Sequence, residues 1–126
     1  MTKYVKVPIT VDASGNAVVY SSRVSGKIAQ IDYVPDGTNP LATGADVTIT
    51  TERTGAPVVT LTNIGLTAFT KAPRMPTHAV ADGSALLYAA GGTAVTDKVG
   101  LANDRIKFSV AQGGNALKGT FYVLLD

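Results

Sequence analysis

The chain has 126 residues, 45% of them hydrophobic, which is the length and apolar content of a single domain over residues 1–126 with one core. It has no Cys, no Trp and one His, and charged residues make up 16% against a usual share of about 25%, so disulfides, thiolate chemistry and Cys-based zinc sites are excluded. Eleven basic residues against nine acidic ones give a net charge of +2, and without Lys/Arg clusters that small excess indicates no direct nucleic-acid partner.

Met1 to Val11 alternates polar and apolar residues and includes Lys3, Lys6 and Pro8. It lacks the continuous apolar run of about 7–15 residues of a signal peptide. Nor does any segment reach the roughly 18 apolar residues of a membrane span. No membrane partner is expected, and the chain is expected to act in the cytosol or in something assembled there.

Val5, Val7, Ile9 and Val11 are apolar at every second position and predict a first strand. Asp12 to Asn16 is a turn cluster, and Ala17 to Val24 reads as the return strand of a hairpin. Lys27 to Val34 is a further strand, followed by a Pro- and Gly-rich loop from Pro35 to Gly44. Asp46 to Glu52 places Val47 and Ile49 inward, and Pro57 to Asn63 returns with Val59 and Leu61 inward. Between them Arg53 to Ala56 is a short Gly-containing loop. Ile64 to Phe69 has no clear period. Lys71 to Gly83, with Pro73 and Pro76, reads as an irregular excursion over the surface or towards a partner. Ser84 to Ala90 suits a short strand or one helical turn, and Thr93 to Leu101 is weakly strand-like. Arg105 to Ala111 and Leu117 to Leu125 read as a closing hairpin around Gln112 to Asn115. Its inward residues are Ile106, Phe108 and Val110, then Phe121, Val123 and Leu125. Tyr122 and Leu124 make the last strand apolar on its other face too, as in a central strand or one covered by another chain. About nine short strands with little helix predict an all-β fold, an antiparallel β-sandwich or barrel of jelly-roll or immunoglobulin-like type.

Titratable groups are few. His78, in Pro76-Thr77-His78-Ala79, is the one imidazole available as a general base. No Gly-x-Ser-x-Gly elbow accompanies it, so a solvated or contact-forming loop histidine is the better reading and no catalytic residue is assigned. Asp97, Asn103 and Asp104 lack the Gly and Glu of a calcium loop. Gly91-Gly92-Thr93 and Gly113-Gly114-Asn115 open no helix and lack Gly-Lys-Ser/Thr, so they read as turns rather than phosphate loops. No metal or cofactor is expected. Arg53 and Arg105 read as solvated surface; Arg74, between Pro73 and Met75, suits a contact surface equally well. With so few charges and so many Thr, Ala and Val residues, much of the surface suits burial against neighbours, which predicts an oligomer that includes copies of this chain.

Ser25-Gly26-Lys27-Ile28, Ile31-Asp32-Tyr33, Ala45 to Glu52, Ala72-Pro73-Arg74, Pro76-Thr77-His78, Ala102 to Lys107, Val110 to Gly114 and Gly119-Thr120-Phe121 together resemble a family of small structural proteins of tailed bacteriophages, encoded among head genes. The pieces extend over most of the chain. The resemblance implies a non-enzymatic virion protein, assembled in the host cytoplasm, that decorates or cements the head by clamping neighbouring subunits of the major capsid protein. A ring component of the neck or tail, and a host- or glycan-binding β-domain, are the alternatives. In a cement protein the contact elements are expected at Lys71, Pro73, Arg74, Met75, Pro76, Thr77 and His78, and on the first strand at Val5 and Val7.

Overall fold

A computed structural model describes residues 3–126, among which there are eleven strands and no helix. In chain order these are β1 (Lys3–Thr10), β2 (Ala17–Tyr20), β3 (Val24–Pro35), β4 (Asp46–Thr51), β5 (Pro57–Leu61), β6 (Phe69–Lys71), β7 (Met75–Pro76), β8 (Thr96–Asp97), β9 (Val99–Asp104), β10 (Ile106–Ala111) and β11 (Lys118–Leu125). One antiparallel sheet runs β1-β11-β3-β6. β9 lies along the first half of β3 and β6 along its second half, so β3, the longest strand, serves two partners on one edge. The second sheet runs β2-β10-β4-β5. β7 and β8 pair only with each other, outside both sheets.

The period-2 pattern fixes which faces meet. Val7, Ile9, Ile28, Ile31, Phe121, Val123 and Leu125 from the first sheet pack against Val47, Ile49, Leu61, Ile106, Phe108 and Val110 from the second, all buried. Each such side chain contributes about 1.5–3 kcal/mol on leaving water. At the centre, Tyr33 is fully buried, with its ring 5.4 Å from Phe69 and 5.0 Å from Phe121, which in turn lies 5.1 Å from Phe108. Its hydroxyl donates to the Gly65 carbonyl at 2.8 Å, so the phenol enters the core without an orphaned polar atom.

Two expected hairpins do not form. β2 pairs with β10 rather than with β1, and β10 and β11 lie in different sheets. The turns between them are therefore crossovers, and they brace each other. Asp12 Oδ1 accepts the Ser14 and Asn16 amides, Gly113 N–H donates to Gly15 O at 2.9 Å, and Ala116 N–H donates to Asp12 O at 3.1 Å. Gly15 has φ +83°, and a Cβ there would sit 2.9 Å from the Gly113 and Gly114 nitrogens. Alternation cannot separate the two arrangements, because facing sheets and paired strands demand the same inward parity.

Candidate functional site

Between β6 and β9 the chain leaves the sandwich and returns. β7 and β8 form a short stem, with Met75 opposite Asp97 and Pro76 opposite Thr96. Past the stem the chain branches. Thr77 N–H donates to Val95 O at 2.8 Å, Val95 N–H to Leu86 O at 2.8 Å, and Leu86 N–H to Thr77 O at 2.9 Å, a closed ring of three backbone hydrogen bonds. The Thr77 hydroxyl adds a second bond to Val95 O at 2.8 Å. Two small hairpins grow from this ring. One is closed by the His78–Ala85 bridge and turns through Gly83; the other is closed by the Leu87–Ala94 bridge and turns through Gly91.

The arm saturates much of its own backbone and buries little else. From Val80 to Thr93 every residue is exposed, among them Val80, Leu86, Leu87 and Tyr88. These four side chains have no core of their own within the chain.

Both ends of the arm are fastened to the sandwich. At its entry, Arg74 donates through Nη1 to the Ala29 carbonyl at 3.2 Å and to Pro73 O at 2.8 Å. Ala29 lies where the edge of β3 passes from β9 to β6, so the guanidinium satisfies a carbonyl in the gap between the two strands. At its exit, Lys98 forms an ion pair with Asp126, and Val99 is buried.

The expected contact residues separate into two groups at opposite edges of the first sheet. Lys71, Pro76 and His78 are exposed at the base of the arm, with the Lys71 ammonium 5.6 Å from the centre of the Phe69 ring, and Thr77 is half-buried in the branch. Pro73 and Val7 are corrections. Pro73 is buried against the sandwich, and Val7 sits in the core because odd positions of β1 face inward. Met75 and Val5 are half-buried and pack against that core. On β1 the exposed side chains are Lys3 at its start and then the even ones, Tyr4, Lys6, Pro8 and Thr10. Val11 N–H donates to Leu117 O at 3.0 Å, which sets the odd residues as the bonded ones and turns the backbone of the even ones to the open edge. Pro8 has no N–H to offer there, and Lys6 is charged, so strand addition at this edge is disfavoured. The sequence reading missed the hairpins beyond residue 78; the signal was Gly83 and Gly91-Gly92 marking two turns in a stretch without an inward parity.

Acid–base groups do not converge on the arm. Ser84 donates its hydroxyl and its amide to Asp82 Oδ1 and not to His78, and these bonds hold the Asp82 carboxyl below its usual range. Below the stem an open groove of about 480 Å³ is lined by Arg53, Met75, Leu101 and Asp104. Its polar groups are already engaged: Arg53 donates to the Ala102 and Asn103 carbonyls, and Asp104 accepts the Arg53 and Arg105 amides. Arg105 is not merely solvated; it forms a bidentate pair with Glu52 and stacks 4.2 Å over the Tyr20 ring. That pairing depresses the Glu52 pKa. Among the described residues, no three His, Asp or Glu side chains cluster to hold a metal ion, and no helix is long and apolar enough to cross a membrane.

No family model matches the chain, and no curated protein matches its sequence. Among solved structures, a chain in the acidic stable capsid structure of Helicobacter pylori bacteriophage KHP30 is similar over 98% of this chain and 86% of its own length, with TM-score 0.50 and 14% identity. A second, in the crystal structure of FlhE, covers 98% of this chain and 96% of its own at TM-score 0.45 and 13% identity. At these identities the likeness to the capsid chain is one of fold: an all-β sandwich, as the alternation predicts.

Proposed function

We propose that this chain is a structural protein of a bacteriophage virion, seated on the head and cementing neighbouring subunits of the major capsid protein. The branched arm carries this reading: a rigid sandwich, closed on its own core, holds four exposed apolar side chains away from itself on a stem fastened at both ends. From Val80 to Thr93 such an arm buries nothing within the chain, and a lattice of neighbours gives its apolar side chains something to pack against. The likeness in fold to a chain of a phage capsid structure supports the same reading. Many copies on one shell multiply weak contacts into a strong clamp.

The test uses the particle. Residues 78–94 are replaced by Asn-Gly, joining Thr77 to Val95 through a two-residue turn. The backbone groups released by removing Leu86, Thr77 O and Val95 N–H, are then free to bond each other. The unaltered chain is expected in hundreds of copies per particle, and the shortened one is expected to be lost from heads, which then open at lower temperature. About a dozen copies or fewer would instead indicate a closed ring at the neck or tail. Unchanged occupancy of the shortened chain would overturn the arm as the contact.

A further inference from the structure

The outer face of the first sheet carries a pattern of its own. Lys6, Tyr122 and Asp32 stand in one row across β1, β11 and β3. Tyr4, Leu124 and Gln30 form the row on one side, and Pro8, Thr120 and Val34 the row on the other. Tyr4 is 66% exposed with its ring 5.8 Å from that of Tyr122; Val34 is 46% exposed. Lys6 and Asp32 flank Tyr122 at one strand spacing each, about 4.8 Å, on opposite sides. Among the described residues neither has an ion-pair partner within the chain.

We propose that this face binds a second copy of the chain across a two-fold axis running along β11 between the stacked sheets. Such an axis lays β1 of each copy over β3 of the other. Lys6 then faces the partner's Asp32, and Asp32 the partner's Lys6. Pro8 meets the partner's Val34, while Tyr122 and Leu124 meet their own counterparts. An axis across the strands would instead set Lys6 on Lys6 and Asp32 on Asp32, so the charges select one of the two stackings. Strand spacing and pleat give this nine-residue patch about 300 Å² per copy, or about 600 Å² buried in total, half of the roughly 1,200 Å² at the lower end of stable interfaces. The pair is therefore weak in dilute solution and gains strength where copies are held side by side. The proposal goes beyond head binding and stands or falls apart from it, since its test is made in solution without particles.

The experiment is sedimentation of the whole chain at up to about 1 mM, for wild type, Lys6→Glu, Asp32→Lys and the double reversal, each checked for folding by circular dichroism. Wild type is expected to pair reversibly. Each single reversal creates two like-charge contacts and is expected to weaken pairing about tenfold or more, and the double reversal to restore it to within about threefold. The chain lacks cysteine, so a single Thr120→Cys, on the axis, gives a second reading. It should be joined to its counterpart by a short bismaleimide faster than Thr48→Cys, which lies exposed on the other sheet. A wild type that stays monomeric, single reversals that pair like wild type, a double reversal as weak as the singles, or equal cross-linking at both positions would each overturn the proposal.

Discussion

Tyr33 illustrates how one side chain can be both the keystone of a core and its alkaline weak point. Its ring joins β3 to β6 and β11, and its hydroxyl reaches the Gly65 carbonyl in the segment between β5 and β6. Gly65 itself has no room for a side chain, since a Cβ there would lie 1.8 Å from the Ala42 carbonyl oxygen. Replacing Tyr33 by Phe keeps the ring but leaves a buried carbonyl without its donor, at a cost of about 1–3 kcal/mol; urea unfolding should show the loss as a lower midpoint with an unchanged slope. Burial pushes the Tyr33 phenol from 10.0 up to about 12. The unfolded chain releases this proton first, so stability that is complete below pH 10 falls as the pH rises through the interval up to about 12. Of the five tyrosines, one should ionise late in an ultraviolet titration, and Tyr33→Phe should remove that late step and flatten the alkaline decline. A late step that survives the substitution would show that another phenol is the buried one.

At the scale of elements, the arm and the sandwich are energetically separate. From Val80 to Thr93 nothing is buried, so the variant with 78–94 replaced by Asn-Gly should melt within about 3 °C of wild type. A protease at low dose should nick the intact chain first at one of the two hairpin tips, around Gly83 or Gly91-Gly92. A melting point lower by 10 °C would mean that the arm stabilises the fold. The same separation decides what was legible in the sequence. Strand residues announced their faces wherever a core exists to reward alternation: Val47, Ile49, Phe108, Val110, Phe121 and Val123 are all buried as their parity predicts. Pairing was not legible, because inward parity is shared by neighbours in one sheet and by strands facing across the core. Val58 is buried and Val59, expected inward, only half-buried, because a register shift opposite Ile49 and Thr50 inserts a residue, and no composition signal marks it. The arm was visible only as a loss of pattern from Lys71 onward. Pro73 looked like loop chemistry and is a buried foot of the stem; Arg74, which suited solvated surface and contact equally, is exposed and also holds the Ala29 carbonyl.

At the scale of the whole molecule, the first sheet is completed where β1 meets β11. β1 enters the first sheet at its edge, and β11, the last strand, fits between β1 and β3 with Lys3 opposite Leu125. Phe121, Val123 and Leu125 of β11 are all buried, together worth about 5–9 kcal/mol of apolar transfer, which is comparable to the roughly 5–15 kcal/mol that keeps a domain folded. β11 is thus central in the first sheet, and that sheet is incomplete without it. What the fold requires is the adjacency of β1 and β11, not the order in which the chain supplies them. A circular permutant tests this directly: the present ends are joined by a short Gly-Ser linker, and the chain is opened between Gly91 and Gly92, in an exposed turn of the arm. The linker restores a connection across strands that are already neighbours, and the new ends fall where nothing is buried. The permutant should show the same β-sheet circular dichroism and melt within about 5 °C of the parent. An unfolded permutant beside a folded arm-shortened variant would show that the chain must begin with β1 to assemble, and that the closure by β11 depends on sequence order after all.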